Sequence, residues 1–244
     1  MANRSNAPRS LAQYPRRSLL GGLSAETRDC LLELGTLTQI AANETFITEG
    51  ATGSTDVFVL RQGTTKVTSS TESGDTVLLS IRASGDVVGE LAALDNGPRL
   101  AAVTTIRPCV VQRIHQREFL GFLNAYPEAA LAVNRTVSAK LRNATWHRIE
   151  SGGSPVPIRV ARMLMLLSRE RGDPSSRGTR VPDVTQSDIA GLVSAKERTV
   201  QKALAELRHN GVIFQGYGEI FIRDPAALHS FAGITEIPPE YGVG

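Results

Sequence analysis

The chain has 244 residues, of which 41% are hydrophobic and 21% charged, and a formal net charge of +3. That is enough for two domains of ordinary size. No apolar run approaches a membrane span, and the Arg-rich start lacks the apolar segment of a secretory signal, so the reading is a cytoplasmic protein with no membrane partner. The two cysteines, Cys30 and Cys109, supply neither a disulfide framework nor a metal site. The basic balance permits an anionic partner without demanding one, and an aromatic content of 5% argues against single-strand binding by base stacking.

Residues 1–18 are polar, Arg-rich and Pro-containing, the composition of a disordered arm. Ser24 is placed to cap a short helix over residues 25–34. From Thr36 to Ile114 short β-rich runs recur between turn residues. They are Phe46-Ile47, Val57-Phe58-Val59-Leu60, Thr65-Lys66-Val67-Thr68, Val77-Leu78-Leu79-Ser80-Ile81, Val103-Thr104-Thr105-Ile106 and Cys109-Val110-Val111-Gln112-Arg113-Ile114. Glu49-Gly50, Gln62-Gly63, Glu72-Ser73-Gly74-Asp75 and Ser84-Gly85-Asp86 separate them. Such spacing predicts a jelly-roll barrel or sandwich over residues 19–126.

Residues 87–100 break the spacing and read as a connection without a strand, with a short helix over residues 90–94. A helix N-terminus beside Arg99, which can bind a phosphate through two nitrogens, would make an anion cradle inside the barrel. The alternative is a structural turn in which Glu90 and Arg99 pair with each other; spacing alone leans slightly to the turn.

A helical pattern then runs over residues 127–150, with Pro127 in its first turn. Val133, Val137, Leu141 and Ala144 form a narrow seam at i, i+4, i+8 and i+11. Such a seam suits pairing with a second copy or packing on the helix's own barrel. Ser151-Gly152-Gly153-Ser154-Pro155 is expected to end the helix, giving a hinge over residues 151–156.

Residues 157–232 read as a winged helix-turn-helix. A helix over residues 158–169 and a short strand at Thr179-Arg180-Val181 lead to Thr185, which can cap a helix with Asp188 in the capping-box position. Ile189, Ala190 and Val193 share a face of that helix. Val200, Ala203, Leu204 and Leu207 form the buried stripe of the next. Its exposed residues Lys196, Glu197, Arg198, Thr199, Gln201 and Lys202, with Thr185 and Gln186 at the start of the first helix, are candidate contacts to double-stranded DNA. Val212-Ile213-Phe214 and Ile220-Phe221-Ile222 flank Gly216-Tyr217-Gly218 as a hairpin. Asp224-Pro225 can start a last short helix, and residues 233–244 form a loose tail.

The order of barrel, Gly-Glu-Leu cassette with a downstream Pro-Arg, long helix, hinge and winged helix-turn-helix resembles the cyclic-AMP receptor protein family, the Crp–Fnr superfamily of bacterial transcription regulators. The resemblance spans residues 19–231 and is most specific at Gly85-Asp86-Val87-Val88-Gly89-Glu90-Leu91, Gly97-Pro98-Arg99 and residues 185–204. It implies an α+β fold: an N-terminal jelly-roll β-barrel of the cyclic-nucleotide-binding kind, a long dimerisation helix and a C-terminal winged helix-turn-helix.

The resemblance also implies site roles. Glu90 matches the glutamate that bonds the ribose of a cyclic nucleotide, Arg99 the arginine on its phosphate, and Gly89 the glycine that lets the backbone approach, with Leu91 completing the cassette. Leu100 stands where nucleotide binders carry Ser or Ala, and its bulk would crowd the phosphate. Ala144 and Thr145 match a polar pair that contacts adenine, of which Thr145 keeps a hydroxyl. Cyclic AMP or cyclic GMP is the implied effector, a homodimer the implied assembly, and RNA polymerase an implied partner. In the recognition helix the family's Ser-Arg-Glu-Thr-Val reads Lys196-Glu197-Arg198-Thr199-Val200, and a later base-reading arginine is Lys202. Lys is a poorer two-pronged reader of guanine than Arg, so the operator differs from that of the family's founder. A metal enzyme on the same barrel would need clustered His and carboxylate ligands, whereas His115 stands alone among the strands. A nucleotide sensor with protein partners is a further alternative.

Overall fold

The run Val57-Phe58-Val59-Leu60 has no polar alternation, as expected of a strand buried on both faces. The computed structural model, which describes residues 14–70 and 76–233, bears this out. Most of the expected N-terminal arm, nearly all of the expected tail and the turn Glu72-Ser73-Gly74-Asp75 lie outside the described residues. Strand β3 (Val57–Gln62) sends Val57 and Val59 toward a cluster of Leu31, Phe119, Phe122 and Val133. It sends Phe58 and Leu60 toward Ile40, Ile47, Val103 and Val111.

The barrel domain consists of two four-stranded antiparallel sheets rather than one closed cylinder. In the first, β1 (Thr36–Ile40), β8 (Cys109–Ile114), β3 and β6 (Val87–Val88) are adjacent in that order. In the second the order is β2 (Thr45–Ile47), β7 (Ala102–Thr105), β4 (Thr64–Ser70) and β5 (Thr76–Ala83). Strand β6 corrects the expectation that the 87–100 connection holds no strand: Phe58 pairs with Val88 and Val59 with Val87. Two residues are too short a run to show period-2 patterning. The β3–β4 turn requires Gly63, which has φ +108°; a Cβ there would lie 2.4 Å from Cys109 Sγ.

Helix α1 (Ala25–Leu32) is capped by Ser24, which accepts from the Thr27 amide. Glu128 of the long helix in turn accepts from Ser24 N and Thr27 Oγ1. Helix α2 (Glu90–Asp95) sits inside the cassette. Helix α3 (Gln116–Ala125) was not expected; Glu118 closes its capping box and Phe119 and Phe122 are buried. The long helix α4 runs Pro127–Gly153, through the Gly152-Gly153 pair expected to stop it. Glycine in a helix costs about 1 kcal/mol and proline about 3 kcal/mol, so Pro155 makes the break. Helix α5 (Val156–Arg171) begins directly after it.

The winged domain carries a third sheet in the order β11 (Ile213–Gly216), β12 (Glu219–Ile222), β10 (Gly178–Pro182), β9 (Asp173–Ser175). It packs with α5, α6 (Gln186–Leu192), α7 (Glu197–His209) and α8 (Pro225–Phe231) around Val160, Leu164, Ile189, Leu204 and Leu207. Leu78 and Ile81 of β5 belong to that same core. The two domains therefore share buried apolar surface. Among the described residues no helix is long and apolar enough to cross a membrane.

Candidate functional site

The helix-turn-helix is built by local chemistry. Thr185 Oγ1 accepts from the Asp188 amide at 3.1 Å, and Asp188 Oδ2 accepts from the Thr185 amide at 2.8 Å, closing the expected capping box at the start of α6. Ser194, with φ +50°, makes the tight turn, and the Ala195 amide donates back to Ala190 O at 3.0 Å. Lys196 then stands at the N-cap of α7 with no side-chain capping bond. Val200, Ala203, Leu204 and Leu207 are buried. The opposite face leaves Lys196, Glu197, Arg198, Thr199, Gln201 and Lys202 exposed. Thr185 is exposed and Gln186 half-buried at the start of α6. The structure thus gathers all eight candidate DNA contacts on one module, with every polar side chain of α7's outer face available to a groove. The wing turns at Tyr217-Gly218, where Tyr217 is fully exposed. Arg177 stacks over Phe214 with its guanidinium 5.6 Å from the ring centroid. Nothing in the sequence pattern marked Arg177.

In the cassette, Gly89 adopts φ +80° as N-cap of α2, and a Cβ there would lie 2.6 Å from Arg99 Nη1 and 3.0 Å from Asp56 O. Glycine is thus what lets Arg99 seat against the backbone. Glu90 and Arg99 are 2% and 4% exposed but do not pair with each other. Arg99 donates from Nη1 to Gly89 O at 2.8 Å and from Nη2 to Asp56 O at 2.7 Å. Glu90 Oε1 instead meets Lys140 Nζ of α4 at 2.8 Å, and Lys140 also donates to Val87 O. Burial pulls the Arg99 and Lys140 pKa values down, and nearby carboxylates (Asp56 and Glu90 for Arg99, Glu90 first for Lys140) oppose the pull. Asp56 is held in turn by Arg113, Nε to Oδ2 at 2.7 Å, and by His115 Nδ1 at 3.0 Å. Burial raises the Asp56 pKa, but bonds from Arg113 and His115 outweigh it, so the carboxyl sits below its ordinary value.

Lys140 and Asp56 are the cassette residues that sequence reasoning missed. Lys140 lies one residue before Leu141 and four before Ala144, so its proximity to the seam was the available signal. Asp56 acts through its main-chain carbonyl, which no residue type announces. Leu91 is half-buried beside the cluster. Leu100 is 67% exposed and Thr145 is also exposed, whereas Glu90 and Arg99 are buried and Gly89 and Lys140 half-buried. A guanidinium has five N–H donors and a carboxylate two oxygens, so the bonds above leave Arg99 donors for a phosphate and one Glu90 oxygen for a ribose hydroxyl.

The expected seam on α4 divides. Val133 is 3% exposed and belongs to the barrel's own core, with Val137 packed against it. Leu141 is 67% exposed and Ala144 is exposed. The outward stripe is instead Leu131, Asn134, Ser138, Leu141 and Thr145, all exposed. Their spacing alternates three and four residues, that of a coiled-coil seam.

Residues 37–126 match the cyclic nucleotide-binding domain, and residues 158–231 match the Crp-like helix-turn-helix domain. A CRP-like cAMP-activated global transcriptional regulator of Mycobacterium tuberculosis is 30% identical over 185 residues, which is 75% of this chain and 82% of that protein. A CRP-family transcriptional regulator of Thermus thermophilus, TTHB099, has a crystal structure similar at TM-score 0.66 and 25% identity, covering 80% of this chain and 96% of its own. FixK2 from Bradyrhizobium japonicum shares the fold at TM-score 0.69 and 20% identity, covering 81% of this chain and 97% of its own. With both domains matched in order, and a relative of that identity aligned across most of its length, the chain belongs to the cyclic-AMP receptor protein family of transcriptional regulators.

Proposed function

We propose that the protein is a homodimer that binds a pseudo-palindromic duplex site through α7 and is controlled by a cyclic nucleotide in the barrel. The observation that carries the DNA reading is the split of α7 into a buried apolar stripe and a fully exposed polar face. Glu197, Arg198 and Lys202 are assigned to base edges in the major groove. Lys196, Gln201, Thr185 and Gln186 are assigned to the phosphates, and Thr199 lies between the two sets. Residues Leu131, Asn134, Ser138, Leu141 and Thr145 of α4 supply the surface for a second copy. Arg99 and Glu90 are assigned to the phosphate and ribose of cyclic AMP, the ligand named for the mycobacterial relative, with cyclic GMP as the other candidate. As a transcriptional regulator the protein would act in the cytoplasm with RNA polymerase. A second reading, a regulator that needs no effector, is favoured by one observation: Arg99 and Glu90 already have partners within the chain.

The DNA assignment is tested by selecting duplexes from a random pool and comparing Arg198→Ala with wild type. The substitution is expected to weaken binding to the selected site by about 1–3 kcal/mol and to relax preference at one base position. Equal loss on selected and random duplexes would remove Arg198 from the base-reading set.

A further inference from the structure

We infer that the outer face of β4 and β5 is a charge-locked dock for the helix-turn-helix, a latch that fixes how the winged domain is presented to DNA. Its effect on DNA rests on the reading above; the dock itself does not. Strand pairing sorts the residues. Lys66 lies opposite Ile81 and Thr64 opposite Ala83, on one face, while Thr65 lies opposite Arg82 on the other. The face of Lys66 and Ile81 meets the winged domain, whose core takes in Leu78 and Ile81. Approach is close: a Cβ on Gly191 of α6 would lie 3.0 Å from Leu78 Cβ.

Polar contacts then lock the apolar one. Lys66 Nζ meets Asp188 Oδ1 at 2.6 Å, Arg107 Nε meets Asp183 Oδ1 at 2.5 Å, and Thr64 Oγ1 donates to Asp183 Oδ2 at 2.9 Å. Both acids bracket the start of α6. Asp188 serves twice, since its other oxygen closes the capping box of that helix. Asp183 holds φ +55°, a costly conformation for a residue with a side chain.

The dock also carries a cost that keeps it reversible. The three guanidinium nitrogens of Arg171, at the end of α5, are buried with no hydrogen-bond partner among the described residues. Burial lowers the Arg171 pKa to about 10, against the pull of Asp183, Glu170, Asp188 and Asp86. Its neighbour Glu170 accepts from Asn143 of α4 at 3.0 Å, which places this end of α5 against the long helix. The other face of the ribbon carries Arg82, whose charge disfavours that of Lys140 in the cassette. The ribbon thus packs against the helix-turn-helix on one face and carries on the other a cation that acts on Lys140 through its charge.

Docked, the ribbon leaves Lys196, Arg198 and Thr199 exposed, so the latch does not cover these candidate DNA contacts. Two winged domains must address half-sites about one helical turn apart, and a domain loose on the Ser154-Pro155 link would pay its ordering entropy on binding. The test uses the full-length protein with Lys66→Glu and Arg107→Glu combined, Lys66→Ala as the milder variant should the first not fold, and the charge swap Arg107→Glu with Asp183→Lys. Hydrogen exchange is read over residues 76–83 and 186–192 without DNA. Exchange in both segments is expected to rise roughly tenfold or more in the double variant and to fall back in the swap, with β3 and β8 unchanged. Affinity is expected to drop about tenfold on a duplex with two half-sites and under about twofold on one half-site. Unchanged exchange in a folded double variant, or in Lys66→Ala if that alone folds, overturns the latch whether or not the protein binds DNA. Loosened exchange with equal losses on both duplexes overturns its role in presentation.

Discussion

Asp56 joins two parts of the cassette. Its carbonyl holds Arg99, and its carboxylate is bound by Arg113 and His115. The second role makes stability acid-dependent. With the folded pKa below the unfolded value, the contribution is complete above about pH 4 and is lost as pH falls through the folded pKa. Asp56→Asn should cost about 1–3 kcal/mol at neutral pH, and the gap to wild type in thermal unfolding should narrow between about pH 5 and pH 2. A gap independent of pH would assign the loss to packing. At this scale Gly89, Glu90 and Arg99 were singled out by the family resemblance, whereas spacing alone leaned to a turn in which Glu90 and Arg99 pair, a pairing the structure does not show. Their partners were not singled out. Lys140 lies 50 residues from Glu90, and the acceptors of Arg99 are backbone carbonyls that any residue could offer.

Helices α6 and α7 were legible almost to the residue, since caps, turn and buried stripe all point to the same answer. Strand β6 and helix α3 were missed, one for brevity and the other because its apolar face is short. The end of α4 was misplaced because two glycines look like a stop, although proline is the stronger one. The seam on α4 shows the limit of periodicity: it finds an apolar stripe but does not say whether that stripe faces the helix's own barrel or a partner. Val133 and Val137 went to the barrel, while Leu141 stayed outside. Leu141→Arg should therefore shift a dimer toward monomer by at least about tenfold in dissociation constant without lowering the monomer's folding stability. Val133→Ala should do the reverse, costing about 1–3 kcal/mol of stability. Sedimentation equilibrium and denaturant unfolding on the two variants separate these effects, and an undiminished dimer in Leu141→Arg would move the interface elsewhere.

At the scale of the whole molecule, the β4–β5 ribbon carries the contact between the barrel domain and the helix-turn-helix. The order of domains was legible in the chain, but their contact was not, because Lys66, Arg107, Asp183 and Asp188 form no local pattern. Their placement depends on which strand face each occupies. The coupling this permits is measurable as a free energy between sites. The most direct measurement is the affinity of the full-length protein for its selected duplex, with and without saturating cyclic AMP, in wild type and Arg99→Ala. Control by the barrel requires binding to tighten by about fivefold or more with the nucleotide, a coupling of roughly 1 kcal/mol or more, and this gain to vanish in Arg99→Ala. Equal affinity in all four conditions would contradict effector control and leave a regulator that works without a ligand.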